Sequence, residues 1–173
     1  MKTLALIFSI FFLFGETTLA SSIEVAITMN PAGSFKAKTK AVKGSATKTE
    51  TGFIAKDITV NLTTLETGVG LRDKHAKDKL NVKEHPQAKL IKAQGKNGKG
   101  LALIELKGKK IKAKGTYKIK GNQLTCKFKM KLSELDINNI RYMGIGVQDE
   151  VEVTVVIPVT KSNPKSKSKV TTS

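Results

Sequence analysis

Apolar residues and lysines alternate along much of this chain, most sharply in two consecutive stretches. From Gln123 to Leu132, Leu124, Cys126, Phe128, Met130 and Leu132 fall on one side, and Gln123, Thr125, Lys127, Lys129 and Lys131 on the other. A period of two belongs to a strand with one buried and one wetted face. From Lys110 to Lys120, the apolar row Ile111, Ala113, Gly115, Tyr117 and Ile119 opposes Lys110, Lys112, Lys114, Thr116, Lys118 and Lys120. Gly121-Asn122 between the stretches predicts a hairpin turn, and hence an antiparallel sheet with an apolar interior.

The same reading predicts about eight strands: Ile23 to Met29, Ser34 to Lys43, Phe53 to Thr63, Ala88 to Gly95, Leu101 to Leu106, Lys109 to Lys120, Gln123 to Leu132 and Val147 to Val159. Phe35, Ala37, Thr39 and Ala41 oppose Lys36, Lys38 and Lys40; Ile58, Val60 and Leu62 oppose Asp57, Thr59 and Asn61; Val151, Val153 and Val155 oppose Glu150, Glu152 and Thr154. Asn97-Gly98 and Gly108-Lys109 mark tight turns. Two longer segments interrupt the hairpin rhythm. Gly68 to Gln87 predicts a loop with a short helix over Asp73 to Leu80, stopped by Pro86, and Ser133-x-x-Asp136 opens the second as a capping pattern for one helical turn. Long loops in a small β domain tend to sit at a functional mouth. Closing about eight antiparallel strands removes exposed edges, and such an interior is either filled by side chains or holds one small ligand. An open sandwich of two sheets is the alternative.

The N-terminus changes the picture of where this domain works. Lys2, the apolar run Leu4 to Phe14 and the small-residue site Thr18-Leu19-Ala20 predict a cleaved signal peptide over residues 1–20. The run is too short to span a bilayer core of roughly 30 Å. Export to the periplasm or the exterior is expected, with one β domain over 21–160. Lys161 to Ser173, rich in Ser, Lys, Pro and Thr, reads as a disordered basic tail. Cys126 is the only cysteine, so no intrachain disulfide forms, and its inward place makes it a small hydrophobe.

The formal net charge is +17, from 31 Lys and Arg against 14 Asp and Glu. Between Leu106 and Ser133 stand ten lysines and no acidic residue. That excess makes a solvated face or a peripheral contact with anionic membrane. Nucleic acid is disfavoured: Tyr117 and Phe128, the aromatic residues among these lysines, lie on the inward row, and there is no arginine-rich stripe.

Arg72, Asp73 and His75 form the densest polar cluster. They suit either hydrogen bonding to a quinone carbonyl or lipid head group, or pinning of the loop to a barrel rim. His75, His85, Asp73, Asp78 and Glu84 fit no metal-ligand spacing, and no Gly-x-Ser-x-Gly, His-Glu-x-x-His or Gly-x-Gly-x-x-Gly pattern occurs. No catalysis, metal or cofactor is expected.

Leu65-Glu66-Thr67-Gly68, Leu71-Arg72-Asp73-Lys74-His75, Leu80 and His85-Pro86, together with Tyr117 to Gly121 and Gly144 to Val151, resemble the motifs of the YceI-like family of exported lipid-binding proteins. The resemblance runs from about Ile23 to Val159. It implies an antiparallel, lipocalin-like eight-stranded barrel with a short helix near its mouth, binding a polyisoprenoid, isoprenoid quinone or fatty amphiphile. The ligand-binding residues would be the inward rows, Phe35, Ile58, Val60, Leu62, Leu90, Tyr117, Cys126, Phe128, Met130, Tyr142 and Met143, with Arg72, Asp73 and His75 at the mouth. Two rivals stand beside it: a basic-surface module for polyanions with a filled core, and an enzyme acting on a lipid head group through His75 and Asp73. A homodimer has no signature in the sequence.

Overall fold

The computed structural model describes residues 20–31, 33–138, 140–142 and 144–161. The leader and the basic tail lie outside these residues, except that Ala20 precedes the first strand and Lys161 ends the last one. The strands are β1 (Ser22–Asn30), β2 (Ser34–Thr39), β3 (Val42–Lys43), β4 (Ala46–Lys48), β5 (Gly52–Asn61), β6 (Gln87–Lys96), β7 (Lys99–Leu106), β8 (Lys109–Lys120), β9 (Gln123–Lys131), β10 (Arg141–Tyr142), β11 (Ile145–Val147) and β12 (Glu150–Lys161). One α-helix, α1 (Gly70–Lys79), and two 3₁₀ turns, Leu62–Thr64 and Leu132–Leu135, complete the fold.

The expected lipocalin-like barrel is the observed architecture. Its closed ring runs through seven strands, β4, β5, β6, β7, β8, β9 and β12, with the remaining strands attached to it. β9 and β12 close the ring in antiparallel register from Lys131↔Glu150 to Gln123↔Pro158. The other junction is parallel, Ala46↔Val159 through Lys48↔Lys161, which the all-antiparallel expectation did not contain. Over Ser22 to Ala26 β1 pairs with β12 along the edge opposite β9, ahead of the β4 junction, and β2 pairs with β1.

Several boundaries differ from the sequence reading, each for a local reason. The strand expected over Ser34 to Lys43 stops at Thr39, where the Thr39 hydroxyl accepts the Ala41 amide at 3.0 Å and meets the Thr64 hydroxyl at 2.7 Å. A side-chain acceptor gives the backbone an alternative to the ladder. Beyond it β3 and β4 turn to β5 instead, with Gly44 between them at φ +116, where a Cβ would press on Ile58 Cγ1 at 2.9 Å. The strand expected over Val147 to Val159 is divided at Gln148-Asp149, where the Gln148 amide donates to the Thr28 carbonyl and the Asp149 carbonyl accepts the Leu132 amide, and the β7–β8 turn falls on Lys107-Gly108, both at positive φ, rather than on Gly108-Lys109. Helix α1 begins at Gly70, ahead of the expected Asp73. Ser133 does not cap toward Asp136: it lies inside its 3₁₀ turn, and its amide and hydroxyl donate to Asp149 at 2.7 and 2.8 Å.

Two irregularities keep the apolar rows facing inward. Phe53 and Ala55 are buried, and so are Ile58 and Val60, although a strict period of two would put these pairs on opposite faces. Asp57, at φ +54, absorbs the extra residue. On β6 the register against β7 shifts between Leu90 and Lys92, so Leu90 and Ala93 both reach the inside.

An aromatic pair packs across one end of the barrel. The Phe53 and Tyr117 rings meet edge to face, 4.8 Å between centroids, over Leu124, Ile157 and Val159. Gly95 makes room for them, since a Cβ there would meet Phe53 and would lie 2.6 Å from Tyr117 Cε1.

Candidate ligand cavity

Above this floor the barrel encloses a cavity of about 940 Å³. Ligand sites span about 300–1,000 Å³, so this one lies near the upper end. Its walls come from the inward rows of the strands, and its open end is bounded by α1, the β1–β2 end and β10–β11. Phe35, Ile58, Val60, Leu62, Leu90, Tyr117, Cys126, Phe128 and Met130 all line it, as do Arg72 and His75. Alternation, reset by the irregularities at Asp57 and between Leu90 and Lys92, places the strand residues among them together, because one face of each strand turns toward the axis. Of the other sequence candidates, Asp73 is not among the lining residues, Tyr142 lies in β10 with its side chain outside the description, and Met143 lies outside the described residues.

Arg72 and Asp73 divide the two roles suggested for their cluster. The Arg72 guanidinium carbon sits 4.4 Å above the centroid of the Phe35 ring, a cation–π contact between α1 and β2. Its Nε is buried and makes no hydrogen bond. A buried donor without an acceptor is costly, so an acceptor on a bound molecule would be stabilised there. Asp73 instead faces the preceding loop: its Oδ1 accepts the Thr67 hydroxyl at 2.5 Å and the Thr67 amide at 2.6 Å. The Thr67 hydroxyl, and then its amide, hold the Asp73 carboxyl below the ordinary carboxylate value. This carboxylate ties α1 to the Leu65–Gly68 segment, which reaches β2 through the Lys38↔Glu66 bridge.

Burial pushes the Cys126 thiol up to about 11. Among the described residues no group of three or more His, Cys, Asp or Glu side chains is gathered to hold a metal ion.

The candidate set omitted much of the wall. Ile23, Val25, Ile27 and Met29 of β1 and Val151, Val153, Val155 and Ile157 of β12 also line the cavity, and their alternation was the available signal. Val69, Leu71 and Ile145, at the α1 and β11 end, line it while remaining exposed, as does Leu101 of β7. Nothing in strand periodicity points to the first three, because their exposure depends on how α1 and β11 sit over the barrel.

A closed, mostly antiparallel barrel with an apolar interior and a helix at one end is a lipocalin-like architecture. The YceI-like domain family matches residues 16–159, and the chain belongs to that family. Three solved structures share the fold. BcnA of Burkholderia cenocepacia aligns at 16% identity and TM-score 0.61, covering 81% of this chain and 96% of its own. A polyisoprenoid binding domain from Saccharophagus degradans, implicated in plant cell wall breakdown, aligns at 12% identity and TM-score 0.54, covering 79% and 91%. A mutant CJ YCEI protein with a monobromobimane guest aligns at 14% identity and TM-score 0.54, covering 75% and 86%. No curated protein is a match in sequence.

Proposed function

We propose that the protein is an exported carrier or scavenger that encloses the apolar chain of a polyisoprenoid, an isoprenoid quinone or a fatty amphiphile. The observation that carries this reading is the 940 Å³ cavity walled by inward apolar rows, with the unpaired Arg72 Nε beside it. The polyisoprenoid-binding neighbour lends support from outside the chain. Enclosing on the order of 400 Å² of apolar chain is worth roughly 10 kcal/mol before association and ordering costs. Binding therefore needs no catalytic group and no metal, and the reading is of a binding protein rather than an enzyme. The polar end of the ligand sits at Arg72 and His75, two of the lining residues able to donate to a carbonyl, carboxylate or phosphate. The apolar leader Leu4 to Phe14 supports delivery to the periplasm or the exterior.

The test is lipid extraction and mass spectrometry of the protein purified gently from its native envelope, beside a mock purification. A stoichiometric long-chain amphiphile is expected. Its absence, together with refusal of added isoprenoids and fatty amphiphiles, would overturn the reading.

A further inference from the structure

The outside of the barrel is electrically lopsided. On β9, β12, β1 and β2 four outward lysines meet carboxylates, Lys36 and Lys38 with Glu24 at 2.7 and 3.1 Å, Lys129 with Glu150 at 2.6 Å, and Lys127 with Glu152 at 3.8 Å. On the wall formed by β5 to β8, no ion pair involves Lys56, Lys92, Lys96, Lys99, Lys112 or Lys114 among the described residues. The carboxylates of this wall are Asp57, at the β5 irregularity, and Glu105, which faces Lys89 on one side and Lys110 on the other.

Register makes the imbalance sharper. Lys56 stands directly opposite Lys92, and Lys96 directly opposite Lys99. Like charges across a ladder destabilise a sheet, so folding alone gives no reason for these pairs. The same rows carry exposed apolar side chains. Ile54, Gln94, Leu101 and Lys114 follow one another across four strands, with Ile54 53% and Leu101 49% exposed. In the adjacent row Leu103 lies between Lys92 and Lys112.

We propose that the β5–β8 wall is a docking surface for an anionic lipid bilayer. Unpaired lysines at the level of the head groups draw the wall to negative lipid, while Ile54 and Leu101 enter the interfacial layer between them. A nucleic acid would use the lysines but gain nothing from exposed leucines, and the wall offers it no aromatic platform and no arginine. The inference is independent of what the cavity holds.

The purified protein is sedimented with vesicles of phosphatidylcholine alone or with about 30% phosphatidylglycerol, at roughly 50 and 500 mM salt, because screening separates exposed electrostatic binding from burial. Binding to the phosphatidylglycerol vesicles, weakened by salt and absent from phosphatidylcholine, is expected. Each lysine held near an anionic surface contributes about five-fold in affinity, so Lys92→Gln/Lys112→Gln/Lys114→Gln should lose on the order of a hundredfold. The control Lys127→Gln/Lys129→Gln, on the neutralised side, should stay within a few-fold of the parent. Leu101→Ser/Leu103→Ser should weaken vesicle binding while leaving retention on heparin unchanged. Thermal melts confirm that each variant is folded. Equal loss in the two lysine variants, equal binding to both vesicle types, or vesicle binding indifferent to the leucine changes would overturn the proposal, the last in favour of a polyanion surface.

Discussion

Cys126 shows how a single side chain reports on the barrel interior. It stands between Leu124 and Phe128 on the inward row of β9 and lines the cavity. Burial raises its thiol from 9.0 to about 11, so at pH 8 the thiolate fraction falls about a hundredfold. Iodoacetamide should therefore modify Cys126 of the folded protein at least about fifty-fold more slowly than a cysteine in a short peptide, with normal reactivity restored in denaturant. A peptide-like rate in the folded protein would mean that the β9 row is wet. At the Phe53–Tyr117 end the sensitive position is Gly95, where a methyl group would collide with Phe53 and crowd Tyr117. Both rings pack in the cluster at that end of the barrel. Gly95→Ala should cost about 1–3 kcal/mol in denaturant unfolding, and no loss would show that the floor repacks freely.

Elements differ in how far the sequence announces them. Strands β8 and β9 were legible residue by residue, because lysine against apolar is the strongest contrast a strand can display, and their inward rows became the cavity wall. The division of β2, β3 and β4 was not legible, because it depends on a Thr39–Thr64 contact between residues far apart in the chain. Nor was the placing of Arg72 over Phe35, which needs α1 docked on β2. The segments bounding the mouth are held by two comparable clamps, Asp73 to Thr67 and Asp149 to Ser133. In each case the partner hydroxyl first, and its amide second, lowers the carboxyl. A folded-state value below the ordinary one means that the stabilisation is fully present above the ordinary carboxylate range and is lost as pH falls through the lowered value. Acid should loosen the mouth before the wall. Hydrogen exchange across residues 67–80 should rise as pH falls below about 4, relative to the intrinsic rate, while β8 and β9 stay protected. Asp73→Asn should show the faster exchange already at neutral pH and a flatter acid response. Protection of α1 that is identical in this variant would assign the helix's position to packing alone.

At the scale of the whole molecule, the cavity couples binding to stability. A filled core and an enclosed ligand site use the same inward alternation, so the two are separated by what the protein does when an amphiphile is offered. A ligand that binds the folded barrel and not the unfolded chain adds about 2.7 kcal/mol at a hundredfold excess over Kd. For a domain of roughly 150 residues, about 2–4 °C per kcal/mol converts this to a rise in Tm of about 5–10 °C. The expected result is a saturable rise of that size, after delipidation, with long isoprenoid or fatty amphiphiles, and no rise with short alcohols bearing the same head group. Arg72→Met keeps a long side chain over Phe35 but removes the guanidinium donors. It should reduce the shift given by an amphiphile with a carbonyl or acidic head and leave the shift given by a plain hydrocarbon chain unchanged. A shift lost equally for both ligands would show that Arg72 acts by holding α1 over the cavity. A parent protein whose Tm does not respond to any long chain would contradict the carrier reading itself, because about 940 Å³ bounded by apolar rows must favour such a chain if it opens to solvent at the α1 end.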